Sequence, residues 1–204
     1  MASLTAAHIE AALRDSGSAP GRQVRVPDMG ELRGVAVPEV YQRPYQQVWT
    51  ALADDKDIEA AVQAGETRLK QLIETDLQLA KTHAAQAVMS ESSGPGLYQR
   101  VLRGEHDCLR CVITSTRVYT KAELLPIHPG CDCDVEPIAD IAGFKSVAKE
   151  RLADAHDLVA TQFDPDAANP SGTGYSDLIV THEHGEYGPT LGIRGQQFTG
   201  PADI

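Results

Sequence analysis

No run of about 18 apolar residues occurs anywhere in this 204-residue chain, so no segment reads as a membrane-spanning helix. The first ten residues, MASLTAAHIE, hold neither a basic n-region nor an apolar h-region, and no secretory signal is expected. Basic residues are too few for a protein that coats DNA by charge. Lys and Arg number 18 against 29 Asp and Glu, a net charge of −11, whereas electrostatic DNA binding wants a basic domain. There is no internal repeat, no G-x-S-x-G and no H-E-x-x-H. The stretch Ser92-Ser93-Gly94-Pro95-Gly96 is not a phosphate loop, because no strand pattern precedes it and no Lys-Ser/Thr follows. With none of these motifs present, the chain is not expected to be an enzyme.

What is present suits a globular protein. Hydrophobic residues make up 42% of the chain, about half once glycine is added, which is enough to bury a core. The length fits one domain, or one domain with a smaller appendage. Charge is uneven along the chain. Residues 1–96 carry 9 basic and 13 acidic side chains, residues 97–130 carry 5 and 3, and residues 131–204 carry 4 and 13. The middle segment alone is basic, and the cysteines lie in and just after it.

Periodicity predicts an α+β fold that is mainly helical up to about residue 90. Residues 4–16 read as a short helix with Leu4, Ile9 and Leu13 on one side, ended by Gly17, Pro20 and Gly21. Residues 17–40 read as an extended arm with one short strand at Gln23–Val26. Tyr41 to Ala53 reads as a helix carrying Tyr45, Val48, Trp49 and Leu52, with Pro44 tolerated only in its first turn. The strongest signal runs from Asp57, a plausible N-cap, to about Ser90. Ile58, Val62, Leu69, Leu72, Ile73, Leu77, Ala80, Ala84, Ala87 and Val88 recur there in steps of three and four. Such a helix is roughly 50 Å long, more than one small core covers. Part of its apolar face is therefore expected to be packed by C-terminal elements or left for a partner. Gly65 inside it costs on the order of 1 kcal/mol against Ala and marks a kink or a close contact. Short strands and turns are expected over 97–140, an amphipathic helix from Phe144 to about Thr161, a linker over 164–175, and a terminal hairpin from Ser176–Thr181 and Thr190–Ile193. The resulting divisions are an N-terminal helix and arm (1–40), a helical region (41–93), a cysteine module with its following helix (97–163), and a linker with the C-terminal hairpin (164–204).

All four cysteines, Cys108, Cys111, Cys131 and Cys133, fall within 26 residues, with His128 among them. A C-x2-C places two thiolates on one tight turn, from which both reach a metal at a Zn–S distance near 2.3 Å. The second half, His128-Pro129-Gly130-Cys131-Asp132-Cys133, supplies three more donors. Pro129 fixes the turn and Gly130 lets the chain double back. Five donors exceed the four of a closed tetrahedral site, so structural Zn2+ is favoured over catalytic zinc. In a reducing compartment metal also comes before disulfides; two disulfides or unrelated buried thiols are the alternatives.

At these residues the chain resembles a known family. Tyr98-Gln99-Arg100-Val101-Leu102-Arg103-Gly104, Cys108-Leu109-Arg110-Cys111-Val112-Ile113 and Ile127-His128-Pro129-Gly130-Cys131-Asp132-Cys133 are similar to the MuF-like head morphogenesis proteins, the minor head proteins of tailed phages and prophages of actinobacteria. Thr75–Ala80, His184–Pro189 and Phe198–Pro201 look alike as well. The likeness covers residues 40–140 well and the last 25 fairly well; the first 35 carry little of it. The resemblance implies a virion protein made in the host cytoplasm and present in few copies in the head interior or at the portal vertex. It would contact the portal or the major capsid protein, with possible contact with packaged DNA and none with a membrane, and would act in head assembly, DNA packaging or ejection. Because the last cysteine of the family's H-P-x-C-x-C is often replaced, the resemblance favours Cys108, Cys111, His128 and Cys131 as ligands, with Cys133 in reserve.

Two other functions are weighed. A nucleic-acid-binding zinc module would use Arg100, Arg103, Arg110, Arg117 and Lys121. A small zinc-dependent enzyme would use an open zinc site, or His182 and His184 with Glu183 or Glu186. The plainer expectation for that histidine pair is exposed polar residues beside a turn. Asp76 and His83, seven apart on the long helix, are expected to bond each other or the cysteine module. Glu105, His106 and Asp107 read as solvated turn residues or as groups supporting the metal ligands.

Overall fold

The periodic stretch after Asp57 becomes the longest element of the computed structural model, which describes residues 2–33, 35–94, 96–103, 108–128, 131, 133–145, 153, 178–186 and 188–194. Helix α4 spans Ile58–Glu91, and the Asp57 carboxylate caps it by accepting from the Ala60 amide at 2.8 Å. Before it come α1 (Ala2–Asp15), a 3-10 turn at Met29–Glu31, α2 (Val37–Tyr41) and α3 (Arg43–Ala53). The single helix expected from Tyr41 is thus two. The chain breaks at Gln42, and Pro44 sits in the first turn of α3, where its missing N–H costs nothing. No strand forms at Gln23–Val26. Val24 and Val26 instead pack, partly buried, against the core.

A three-stranded antiparallel sheet follows, ordered β2-β1-β3, from β1 (Leu97–Val101), β2 (Val118–Thr120) and β3 (Asp134–Ile138). Tyr98 sits opposite Tyr119 in its register, and Arg100 opposite Val135. The two tyrosine rings stack with centroids 5.0 Å apart. A six-residue helix, α5 (Leu109–Thr114), interrupts what the sequence suggested as strand and turn. The C-terminal hairpin joins β4 (Ile179–His184) to β5 (Gly188–Ile193). The expected helix from Phe144 and the linker after it fall almost wholly outside the described residues. So the fold is α+β: a helical N-terminal part with one long helix, a small sheet with the cysteines beside it on α5 and just before β3, and a terminal hairpin. Among the described residues no helix is long and apolar enough to cross a membrane.

One core binds these parts. Ile9 and Leu13 of α1, Ala84, Ala85, Val88 and Met89 of α4, Tyr98, Tyr119, Leu124 and Ile127, and Leu191 and Ile193 of β5 pack with Cys111, Cys131 and Cys133. The C-terminal half of α4 is therefore buried. Its N-terminal half pairs with α3 through small residues. A Cβ added at Gly65 would stand 2.5 Å from a Val48 methyl carbon and 3.1 Å from the Pro44 carbonyl oxygen, so this glycine marks a close contact between helices. Ala61, Gly65, Arg68 and Leu72 are buried on that side, while Ile58, Val62, Leu69, Ile73 and Leu77 remain exposed.

Candidate metal centre and a buried ion network

The five sulfur and nitrogen donors singled out by spacing converge on one place. Cys108 sits just before α5 as its N-cap, its sulfur accepting from the Cys111 amide at 3.3 Å. That one turn of helix aims both sulfurs the same way, with Sγ atoms 3.1 Å apart. The His128 Nε2 lies 2.8 Å from the Cys108 sulfur. Cys111 is 3.0 Å from Cys131, and Cys131 is 2.9 Å from Cys133. Two trios, Cys108–Cys111–His128 and Cys111–Cys131–Cys133, could each hold a metal ion, and Cys111 belongs to both.

The surrounding elements position these groups. Cys131 and Cys133 immediately precede β3. The segment before His128 is held by β5: Thr190 donates its hydroxyl to the Pro126 and Ile127 carbonyls at 2.8 and 2.9 Å, and the Leu191 amide donates to the Pro126 carbonyl at 2.8 Å. Arg100 of β1 is buried beneath the cluster. It donates to the Leu125 carbonyl and places Nη1 3.5 Å from the Cys133 sulfur. Lys81 of α4 donates to the Cys133 carbonyl at 3.3 Å.

Charge at the cluster follows from these neighbours. The Cys111 thiol and the His128 ring hold the Cys108 thiol below the usual thiol range against the opposing effect of burial. Hydrogen bonds from Cys111 and Cys131, together with the Arg100 guanidinium, hold Cys133 well below the usual thiol range. Cys111 is pushed up by the same sharing of protons and by burial. The cysteines are free, and sulfur separations of 2.9–3.1 Å exceed the bond length of about 2.05 Å in a disulfide. A zinc tetrahedron with Zn–S near 2.3 Å sets sulfurs about 3.8 Å apart, so small outward shifts of the thiolates fit them to it. Four thiols and one imidazole, with Cys111, Cys131 and Cys133 buried and Cys108 and His128 half-buried, are a soft donor set that could hold a metal ion.

The other candidates settle differently. Asp76 does not reach His83 or the cysteines. Its carboxylate accepts from the Tyr41 hydroxyl and from Arg33, through Nε at 2.9 Å and Nη2 at 2.5 Å. Glu186, at the β4–β5 turn, accepts from Arg33 at 3.0 Å, Arg43 at 2.8 Å and Arg68 at 2.5 Å. This network joins the arm, α2, α3, α4 and the hairpin. Sequence reasoning missed it because its partners lie up to 153 residues apart. His184 Nδ1 accepts from the Glu186 amide at 3.1 Å, and burial pushes its pKa down. His182 Nε2 lies 3.2 Å from the Ile193 carbonyl oxygen. Among the described residues neither histidine belongs to a metal-capable group. Of the basic segment, Arg100 is buried as above, and Arg117 pairs with Glu123 at 3.0 Å while covering the Tyr119 ring at 4.4 Å. Glu105, His106 and Asp107 lie outside the described residues.

No protein-family model, curated protein or solved structure matches the chain.

Proposed function

We propose that this chain is a structural protein whose small sheet is held by a zinc ion, and that it serves as a minor head protein of a tailed bacteriophage, contacting the portal or the inner capsid. The observation that carries the zinc reading is the convergence of Cys108, Cys111, His128, Cys131 and Cys133 around the shared Cys111. Four of these five close a tetrahedral shell, which a catalytic site leaves open. Bound zinc would cross-link α5, the segment around His128 and the start of β3, and would supply charge for the gathered thiolates. Cys108, Cys111 and Cys131 occupy the middle of the cluster, with His128 at one end and Cys133 at the other. Arg100 and Lys81 at the Cys133 end lower the cost of gathering several thiolates in one buried place.

The head role is supported by the likeness of residues 40–140 to MuF-like proteins, above all the C-x2-C and H-P-x-C-x-C halves after a long helix. A structural role also agrees with a nucleic-acid reading having lost Arg100 and Arg117 to internal contacts. Co-expression with the portal protein encoded by the same phage or prophage tests the proposal. Co-purification of the two, abolished when the cysteine module is disrupted, is expected. A chain that carries zinc yet binds neither portal nor capsid protein would separate the metal reading from the head reading and overturn the latter.

A further inference from the structure

The row of α4 that faces solvent is apolar and nearly symmetric about its own middle. At about 100° per residue, Ile58, Val62, Leu69, Ile73 and Leu77 lie roughly a quarter turn from the row Ala61, Gly65, Arg68 and Leu72 that is buried on the α3 side. With Glu66 filling the gap, the exposed row steps by four, four, three, four and four residues. That spacing reads the same in both directions. A two-fold axis at its centre sets Ile58 against Leu77, Val62 against Ile73 and Glu66 against Leu69 of a second chain. Such a row is self-complementary in the antiparallel sense that a two-fold interface demands. The one acidic group of the row, Glu66, then meets Lys70 of the other copy, one residue from its symmetry position. Lys70 is exposed and makes only a loose pair with Glu74 at 3.8 Å.

The area is also sufficient. Because α3 runs antiparallel to α4, Tyr45 and Trp49, one residue past the contact positions Pro44 and Val48, flank the same side. The two rings pack edge to face at 5.9 Å. These seven apolar side chains are 43–66% exposed, on the order of 800 Å² per chain, which matches the roughly 800 Å² per partner of a standard specific interface.

We infer that this face is covered by a second copy of the same chain, the two α3–α4 pairs forming an antiparallel four-helix bundle about a two-fold axis near residues 67 and 68. Sedimentation of the purified full chain from low to high micromolar concentration tests it, with emission of Trp49, the only tryptophan, as a second readout. A dimer is expected, with Trp49 emission shifting to shorter wavelength as it forms. Ile73→Asp should weaken it by about a hundredfold or more, as loss of a central apolar anchor does, with unchanged far-ultraviolet circular dichroism. Glu66→Lys and Lys70→Glu should each weaken it about tenfold, and the double variant should restore it. The charge pair decides the matter even where Ile73→Asp impairs folding, since both side chains are exposed. A chain monomeric at every concentration overturns the inference. So does a dimer untouched by Ile73→Asp, a double charge variant no tighter than the single ones, or shielding of Trp49 by a portal or capsid protein in place of self-association.

Discussion

Replacing Glu186 with Gln tests the buried network more sharply than any other single change. The Glu186 carboxylate is 5% exposed and is shared by three guanidinium groups. They lose unequally when it goes. Arg33 keeps Asp76 and the Leu72 carbonyl. Arg43, 36% exposed, can turn to water. Arg68 has neither outlet: its side chain is 6% exposed, Glu186 is its one carboxylate partner among the described residues, and its Nη1 is already buried without a hydrogen-bond partner. The cost is thus that of one uncompensated buried charge, about 3–5 kcal/mol. At roughly 2–4 °C per kcal/mol for a chain of this size, Tm should fall by about 10 °C. Arg43→Ala, which breaks a half-open pair, should cost about 1 kcal/mol or less. Adding Arg68→Met to Glu186→Gln should recover most of the loss, because the orphaned charge is gone. Urea unfolding of the four proteins provides the numbers. A Glu186→Gln loss below about 1 kcal/mol, or a double variant no more stable than Glu186→Gln alone, would show that Arg68 is not the source of the cost.

Cys111→Ala removes the donor common to both metal-capable trios. Hydrogen exchange should accelerate across β1, α5 and β3 while α3 and the N-terminal half of α4 keep their protection, and unchanged exchange there would argue against a metal-held module. Gly65→Ala should destabilise the protein despite a helix-propensity gain of roughly 1 kcal/mol, because its Cβ would meet Val48 and the Pro44 carbonyl; a stabilised variant in thermal unfolding would contradict the close packing. His83 and His184 are both pushed down by burial. The unfolded chain therefore binds more protons than the folded one as pH drops through the unfolded histidine value of about 6.5. Stability should be fully present above that range and should fall from pH 7 to pH 5, and His83→Gln should flatten the fall seen in urea unfolding at each pH.

How much of this was legible in the sequence depended on how local the cause was. The Asp57 cap and the steps of three and four after it placed α4 to within a residue at each end, because both signals act within one or two turns. The five candidate metal donors were legible for the same reason: a C-x2-C on one turn, and His128, Cys131 and Cys133 within six residues of one another, need only a sheet to bring them together. Which side of α4 would be buried was not legible. The larger apolar side chains Ile58, Val62, Leu69, Ile73 and Leu77 suggest a packing face, but α3 comes in against the smaller Ala61 and Gly65, leaving the bulkier row outside. The Glu186 network was hidden because each carboxylate meets its arginines only after the arm and the hairpin have folded onto α4. Helix α5 escaped notice because six residues carry too little periodicity, and its start is set by the Cys108 sulfur acting as a cap. The strand expected at Gln23–Val26 had the right residue types, but among the described residues it joins neither sheet and packs its valines against the core instead.

The central claim is that Cys108, Cys111, His128, Cys131 and Cys133 surround a structural zinc ion. Its most direct test is native mass spectrometry, with elemental analysis, of the full chain purified without added metal. The account predicts about one zinc per chain, bound in the folded protein and released on denaturation with all four thiols then free to react. A metal-free folded chain carrying two intact disulfides would contradict it.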